Sequence, residues 1–131
     1  MTGGASGIGA DIVRAFAANG SKVAFVDLQD AAGTALAAEL GALFIRCDIT
    51  DTDALVAAIE ATRDRFGSIG VLVNNAANDD RRAIDAVTPD YWDRQMDVNL
   101  KPQFFACQAV RPQMQPCHRQ TGQICRRRRK A

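Results

Sequence analysis

The first residues able to do chemistry open the chain: Thr2-Gly3-Gly4-Ala5-Ser6-Gly7-Ile8-Gly9, directly before a helical pattern. Glycines there permit a tight turn and let backbone N–H groups come close to an anion. The helix behind them adds unsatisfied donors and the positive end of its dipole, which together suit a diphosphate. A glycine-rich stretch alone is also a plain turn. The second feature is Asp27, which ends the next apolar run 24 residues after Gly3. An acidic side chain at that place can bind both ribose hydroxyls of an adenosine and would repel a 2′-phosphate, so the expected ligand is NAD rather than NADP. Read alone, Asp27 is also a solvated residue that opens a turn. Two further apolar runs end in polar or small residues, at Asp48 and at Asn74-Asn75-Ala76-Ala77.

Regular elements must carry these residues to one place. Ile8, Ile12, Phe16 and Ala17 recur at helical spacing over 7–19, and Gly20 follows as a stop. Val23 to Val26 form a short apolar run that reads as a buried strand over 22–27. A helix is expected over 31–40 with Leu36 and Leu40 on one face, ended by Gly41. A second strand is expected over 42–47. Thr50, with Asp53 three residues on, is the expected cap of a helix carrying Leu55, Ile59, Thr62 and Phe66. A third strand is expected over 69–74, then a loop or short helix over 78–87, then a long helix opened by Thr88-Pro89. Helices alternating with apolar strands imply βαβ units and a parallel sheet covered on both faces. Such sheets bind ligands beyond the carboxyl ends of their strands, where Asp27, Asp48 and Asn74 to Ala77 should meet.

The 131 residues allow one domain. With 47% hydrophobic and 24% charged residues, the chain is neither collagen-like, disordered throughout nor a disulfide scaffold. No apolar run is long enough to span a bilayer. No basic region followed by an apolar core opens the chain, so the expected compartment is the cytoplasm. Cys47, Cys107, Cys117 and Cys125 have no framework spacing and read as free thiols.

The TGxxxGxG spacing, Asp27, Cys47-Asp48-Ile49-Thr50, Asn74 to Ala77 and Val98-Asn99-Leu100 resemble, in the same order, the short-chain dehydrogenase/reductase family. The resemblance covers residues 2–113 and implies a Rossmann-like, doubly wound parallel α/β sheet. It implies that Gly3, Gly4, Ser6, Gly7, Ile8 and Gly9 line the pyrophosphate of NAD. Asp27 and Leu28 would meet the adenosine ribose, Asp48 and Ile49 would border the adenine, and Asn75, Ala76 and Ala77 would run beside the nicotinamide ribose. Asn99 resembles the helix asparagine that supports the family's proton relay. Ala77 departs from the family's usual glycine by one methyl group. Asn78-Asp79-Asp80-Arg81, followed by Tyr91-Trp92-Asp93, is similar to the family's sugar 1-dehydrogenases, which oxidise an aldose to a lactone. A loop with two carboxylates and an arginine suits a polyhydroxylated substrate, and is equally an exposed charged loop.

The family's catalytic Tyr-x-x-x-Lys and upstream serine have no counterpart here. The one tyrosine, Tyr91, has Gln95 four positions on, and no serine follows the long helix. Set against the family pattern, the first strand and the C-terminal half are missing, and Met1 stands where the last residue of a central strand belongs. The expected organisation is a partial dinucleotide-binding domain over 1–113 and a different kind of sequence over 114–131. Residues 1–97 hold all 15 acids against 8 basic residues, a balance of −7, while 98–131 hold 8 basic residues and no acid. The run Arg126 to Lys130 and the loss of apolar periodicity read as disordered or out-of-frame sequence, which the DNA around codon 114 would settle. A nucleic-acid contact is the lesser reading of that tail. Cys107, Cys117, His118 and Cys125 fit no paired zinc spacing. Pro102 removes the N–H due to the Val98 carbonyl, so a kink is expected just after Asn99. The leading functional expectation is an NAD-dependent sugar dehydrogenase sequence, inactive as this chain, with an aldose as possible substrate and the family's homo-oligomer doubtful. The alternatives are a non-catalytic NAD-binding module and a basic-tailed nucleic-acid-binding protein.

Overall fold

A computed structural model describes residues 1–114. The glycine-rich start leads into α1 (Gly7–Ala18), then β1 (Ala24–Asp27), α2 (Asp30–Leu40), β2 (Leu43–Arg46) and α3 (Thr52–Phe66). A single 3₁₀ turn, Ile84–Ala86, precedes α4 (Pro89–Asn99) and α5 (Lys101–Val110). The strands β1 and β2 pair in parallel, with Phe25 opposite Phe44 and their rings 5.3 Å apart. The crossover between them is α2, ended at Gly41, whose φ of 64° is the left-handed value glycine tolerates.

Successive residues of β1 face opposite sides of the sheet, and each side has its own core. Phe25 packs with Ala10, Val13, Val23 and Leu36 beneath α1 and α2. Val26 packs with Cys47, Leu55, Ala58, Ile59, Ala106 and Val110 beneath α3 and α5. This is the two-sided helical cover of a doubly wound sheet. The buried face of α1 differs from the expected stripe: Ile8 is 75% exposed, and Ala10 and Val13 lie inward. Apolar spacing alone does not tell that Ile8, in the first turn of α1, is exposed. Arg14 and Glu39 tie α1 to α2 with two hydrogen bonds at 3.2 and 2.8 Å.

The expected third strand does not form as a regular strand. Thr2 bridges in parallel to Val26 on one side and to Asn74 on the other. Its N–H donates to the Val73 carbonyl at 3.0 Å, and the Val26 N–H donates to the Met1 carbonyl at 2.9 Å. Met1 is the residue expected at the end of the central strand, and it is Met1 and Thr2 together that lie between β1 and the segment ending at Asn74. The ladder they offer reaches only Val73 and Asn74, so residues 69–72 lack the partners a strand needs.

Two helix starts also refine the expectations. The cap of α3 is Asp51, which accepts from the Ala54 N–H at 3.0 Å, and not Thr50. Thr50 instead donates to Asp48 and so belongs to the turn before the helix. Thr88 caps α4 by accepting from the Tyr91 N–H at 3.2 Å, with Pro89 in the first turn, as expected. The long helix breaks at Leu100 (φ −123°, ψ −53°), so α4 and α5 are separate. Pro102 accounts for the break, because it lacks the N–H that would continue the ladder.

Candidate dinucleotide-binding site

The glycine-rich loop is sewn to the ends of its neighbours. The N–H groups of Gly3 and Gly4 both donate to the Val26 carbonyl, at 2.8 and 3.3 Å. From the other side, Asn75 Nδ2 donates to the Gly3 carbonyl at 2.8 Å and to the Thr2 carbonyl at 3.3 Å. The buried Thr2 hydroxyl accepts from the N–H groups of Asn75 and Ala76, at 3.1 and 3.2 Å. Gly3 has a φ of 65°, and a Cβ there would lie 2.8 Å from the Ala76 Cα. A Cβ on Gly9 would collide with the Gly3 carbonyl oxygen. Both positions therefore require glycine for space, and Gly3 also for its backbone angle.

Asp27 stands at the mouth of this loop. Its Oδ2 accepts from the Ala5 N–H at 2.9 Å, and its Oδ1 accepts from the Gln29 N–H at 3.1 Å. Leu28 beside it is 57% exposed. Gln29 Nε2 reaches back across the mouth to the Ser6 hydroxyl, donating at 2.8 Å. Asp48, at the end of β2, accepts from the Thr50 N–H and hydroxyl at 2.9 and 2.8 Å. Ile49 packs against the core beneath α3. Burial pushes the Cys47 thiol up from its ordinary value, and the charges of Asp48 and Asp51 add to the shift.

Beyond Ala77 the chain turns toward α4. The Asn99 side chain grips the backbone of Asn78 from both sides: Oδ1 accepts its N–H at 2.7 Å, and Nδ2 donates to its carbonyl at 2.8 Å. Asn99 Nδ2 also donates to Gln95 Oε1 at 3.0 Å. The Asn99 carbonyl accepts from Gln103 Nε2 at 2.6 Å, at the break between α4 and α5. The Tyr91 hydroxyl donates to the Asp80 carbonyl, and the Arg82 guanidinium lies 4.4 Å over the Tyr91 ring. Tyr91 and Gln95 are buried. Tyr91, Gln95 and Asn99 follow one another at four-residue spacing along one face of α4, which is why they act on the same loop.

The expected residues thus fall into three groups. Gly3, Gly4, Ser6, Gly7, Ile8 and Gly9 form the loop and the first turn of α1. Asp27 touches that loop directly, and Asn75 and Ala76 back it. Asp48 is engaged in its own turn, and Asn99 sits one loop further on. Gln29, Thr2, Tyr91, Gln95 and Gln103 make hydrogen bonds here that the sequence pattern does not signal. Only the position of Thr2 within the glycine motif could have pointed to its role. Among the described residues, the N–H groups of Gly7, Ile8 and Gly9 have no acceptor, and Ser6 makes no side-chain cap bond to them. Free donors, glycine spacing and a nearby carboxylate fit the diphosphate and ribose of a nicotinamide dinucleotide.

Comparison with known proteins shows the family. A profile of the short chain dehydrogenase family matches residues 1–126. The chain belongs to that family. It is 47% identical over 121 residues to the probable galactose dehydrogenase GalD of Rhizobium meliloti, covering 88% of this chain and 47% of that protein. It is 43% identical over 119 residues to a D-xylose 1-dehydrogenase of Caulobacter vibrioides, covering 87% of this chain and 46% of the relative. A blue fluorescent protein from a metagenomic library, solved in complex with NADPH, superposes with a TM-score of 0.81 at 36% identity, over 86% of this chain and 49% of that one. The chain spans about half the length of the curated relatives it matches. The described residues form part of the family's Rossmann-type α/β fold. Among them, no helix is long and apolar enough to cross a membrane.

Proposed function

We propose that this chain binds NAD, in the cytoplasm, and carries the dinucleotide-binding part of a sugar 1-dehydrogenase. The observation that carries the reading is Asp27, whose carboxylate lies against the glycine-rich loop beside the free N–H groups of α1. Those donors would receive the diphosphate, and Asp27, with Leu28, would meet the adenosine ribose. Asp48 and Ile49 would border the adenine, and Asn75, Ala76 and Ala77 the nicotinamide ribose. A carboxylate at the ribose disfavours a 2′-phosphate, which supports NAD over NADP. The similarity to galactose and xylose dehydrogenases supports an aldose as the substrate class. The loop Asn78–Arg82, with its carboxylates and arginines, suits sugar hydroxyls and is held in place by Asn99 and Tyr91.

The bound nicotinamide would supply the hydride acceptor. The residues of this chain bind and orient it, but they do not supply the proton transfer. Tyr91 is committed to the Asp80 carbonyl and has no lysine four positions on. Asn99 is committed to Asn78 and Gln95. A positioned general base contributes about 10²–10⁴-fold, so the 131-residue chain is proposed to bind NAD without turning over an aldose. The check is paired: NADH fluorescence titration should saturate, while D-galactose and D-xylose should give no NADH above background. Aldose-dependent NADH formation, or the absence of saturation, would each refute one half of the proposal.

A further inference from the structure

Among the described residues, three helices have a capping-type residue at their N-terminus, and one of these residues leaves its helix uncapped. Asp51 accepts from the backbone of α3 and Thr88 from that of α4, at 3.0 and 3.2 Å. Ser6 has the extended backbone of a cap (φ −148°, ψ 168°), yet its hydroxyl makes no bond to α1. That hydroxyl is held by Gln29 Nε2 at 2.8 Å instead. Gln29 is itself set in place by Asp27, which accepts its N–H at 3.1 Å.

We propose that Gln29 is a positioning residue for the anion site: by holding the Ser6 hydroxyl away from α1, it keeps the first-turn N–H groups open for the phosphates of a dinucleotide. A serine at a helix start ordinarily satisfies the N–H two or three residues on, here Ile8 or Gly9. A donor capped in that way is lost to an incoming diphosphate unless the cap is first broken. The Gln29 amide offers Ser6 a competing partner and so leaves the donors free. The same contact spans the mouth of the site, from the start of α1 to the start of α2. This inference rests on the dinucleotide reading above and adds to it a residue and a mode of action.

The test uses the full chain with ADP-ribose and adenosine as probes, alongside backbone amide exchange. Gln29→Ala is expected to weaken ADP-ribose about fivefold, the factor that corresponds to one ordinary capping bond. Adenosine, which carries no phosphate, should bind as before. In the unliganded variant the Ile8 or Gly9 amide should exchange more slowly, because Ser6 now caps it, and the melting temperature should rise by roughly 3 °C. Gln29→Met, similar in length but without the amide, should behave like Gln29→Ala. Gln29→Glu still offers Ser6 a partner, so its Ile8 and Gly9 amides should exchange as in the parent. Unchanged ADP-ribose affinity, unchanged exchange at both amides, or adenosine weakening in step with ADP-ribose would each overturn the proposal while leaving the dinucleotide reading intact. No binding of ADP-ribose by the parent chain would overturn both.

Discussion

The Asp27 carboxylate accepts the Ala5 N–H at 2.9 Å, so the residue expected to meet the ribose also fixes the loop expected to meet the diphosphate. One side chain thus couples the two halves of the candidate site. Asp27→Ala should lose both effects. A hydrogen bond to a charged acceptor contributes about 1.5–3 kcal/mol, and urea denaturation should show a loss of about 2 kcal/mol. Asp27→Asn keeps an acceptor for Ala5 and removes the charge. Its amide nitrogen cannot accept the second N–H, that of Gln29, so it should fall between Asp27→Ala and the parent in stability while losing its discrimination against NADP. Equal stability of the Ala and Asn variants would contradict the coupling.

Gly9→Ala should be costly, because Gly9 is buried in the first turn of α1. The added methyl would meet the Gly3 carbonyl and lie 2.9 Å from Asn75 Nδ2, which itself secures Gly3. Overpacking of this kind costs about 1–3 kcal/mol. Gly20→Ala has open space around it but also a φ of 76°, so it should show only the backbone penalty. Denaturation midpoints of the two variants separate steric from conformational loss.

These contacts mark the limit of what the residues disclose in line. Short apolar runs suffice for β1 and β2, and helical spacing for α2 and α3, because Phe25, Leu36, Leu55 and Ile59 face the two cores. The segment 69–74 has the same apolar character, but a strand also needs a partner, and pairing is a property of the whole sheet. Glycine spacing and Asp27 are each weak alone and legible only together, and the folded chain brings them into contact. The links Gln29–Ser6 and Tyr91–Asp80 join residues 23 and 11 positions apart, and only the folded chain brings them together.

Cys47 gives a pH-dependent prediction. Its thiol lies in the core, and burial followed by the charges of Asp48 and Asp51 raises it above the ordinary 9.0. The unfolded chain therefore releases this proton at lower pH than the folded one. Stability from this group is complete below about 9 and falls as pH rises above it. Unfolding free energy measured from pH 8 to 10.5 should drop more in the parent than in Cys47→Ala. In native chain at pH 8, iodoacetamide should modify the exposed Cys107 well before Cys47, as read by peptide mass spectrometry.

Tyr91→Phe keeps the ring beneath Arg82 and deletes only the bond to the Asp80 carbonyl. The loss should be about 1 kcal/mol. Amide exchange should quicken across residues 79–82 while Ala24 and Val26 in β1 stay protected. Faster exchange throughout the chain would mean that Tyr91 supports the whole fold rather than this loop.

The central claim, that the glycine-rich loop and Asp27 form an NAD site, is tested most directly by calorimetric titration of the full chain with NAD and with NADP. The account predicts saturable one-to-one binding of NAD, with NADP at least about tenfold weaker because its 2′-phosphate meets the Asp27 carboxylate. Tighter binding of NADP, or no binding of either, would contradict it.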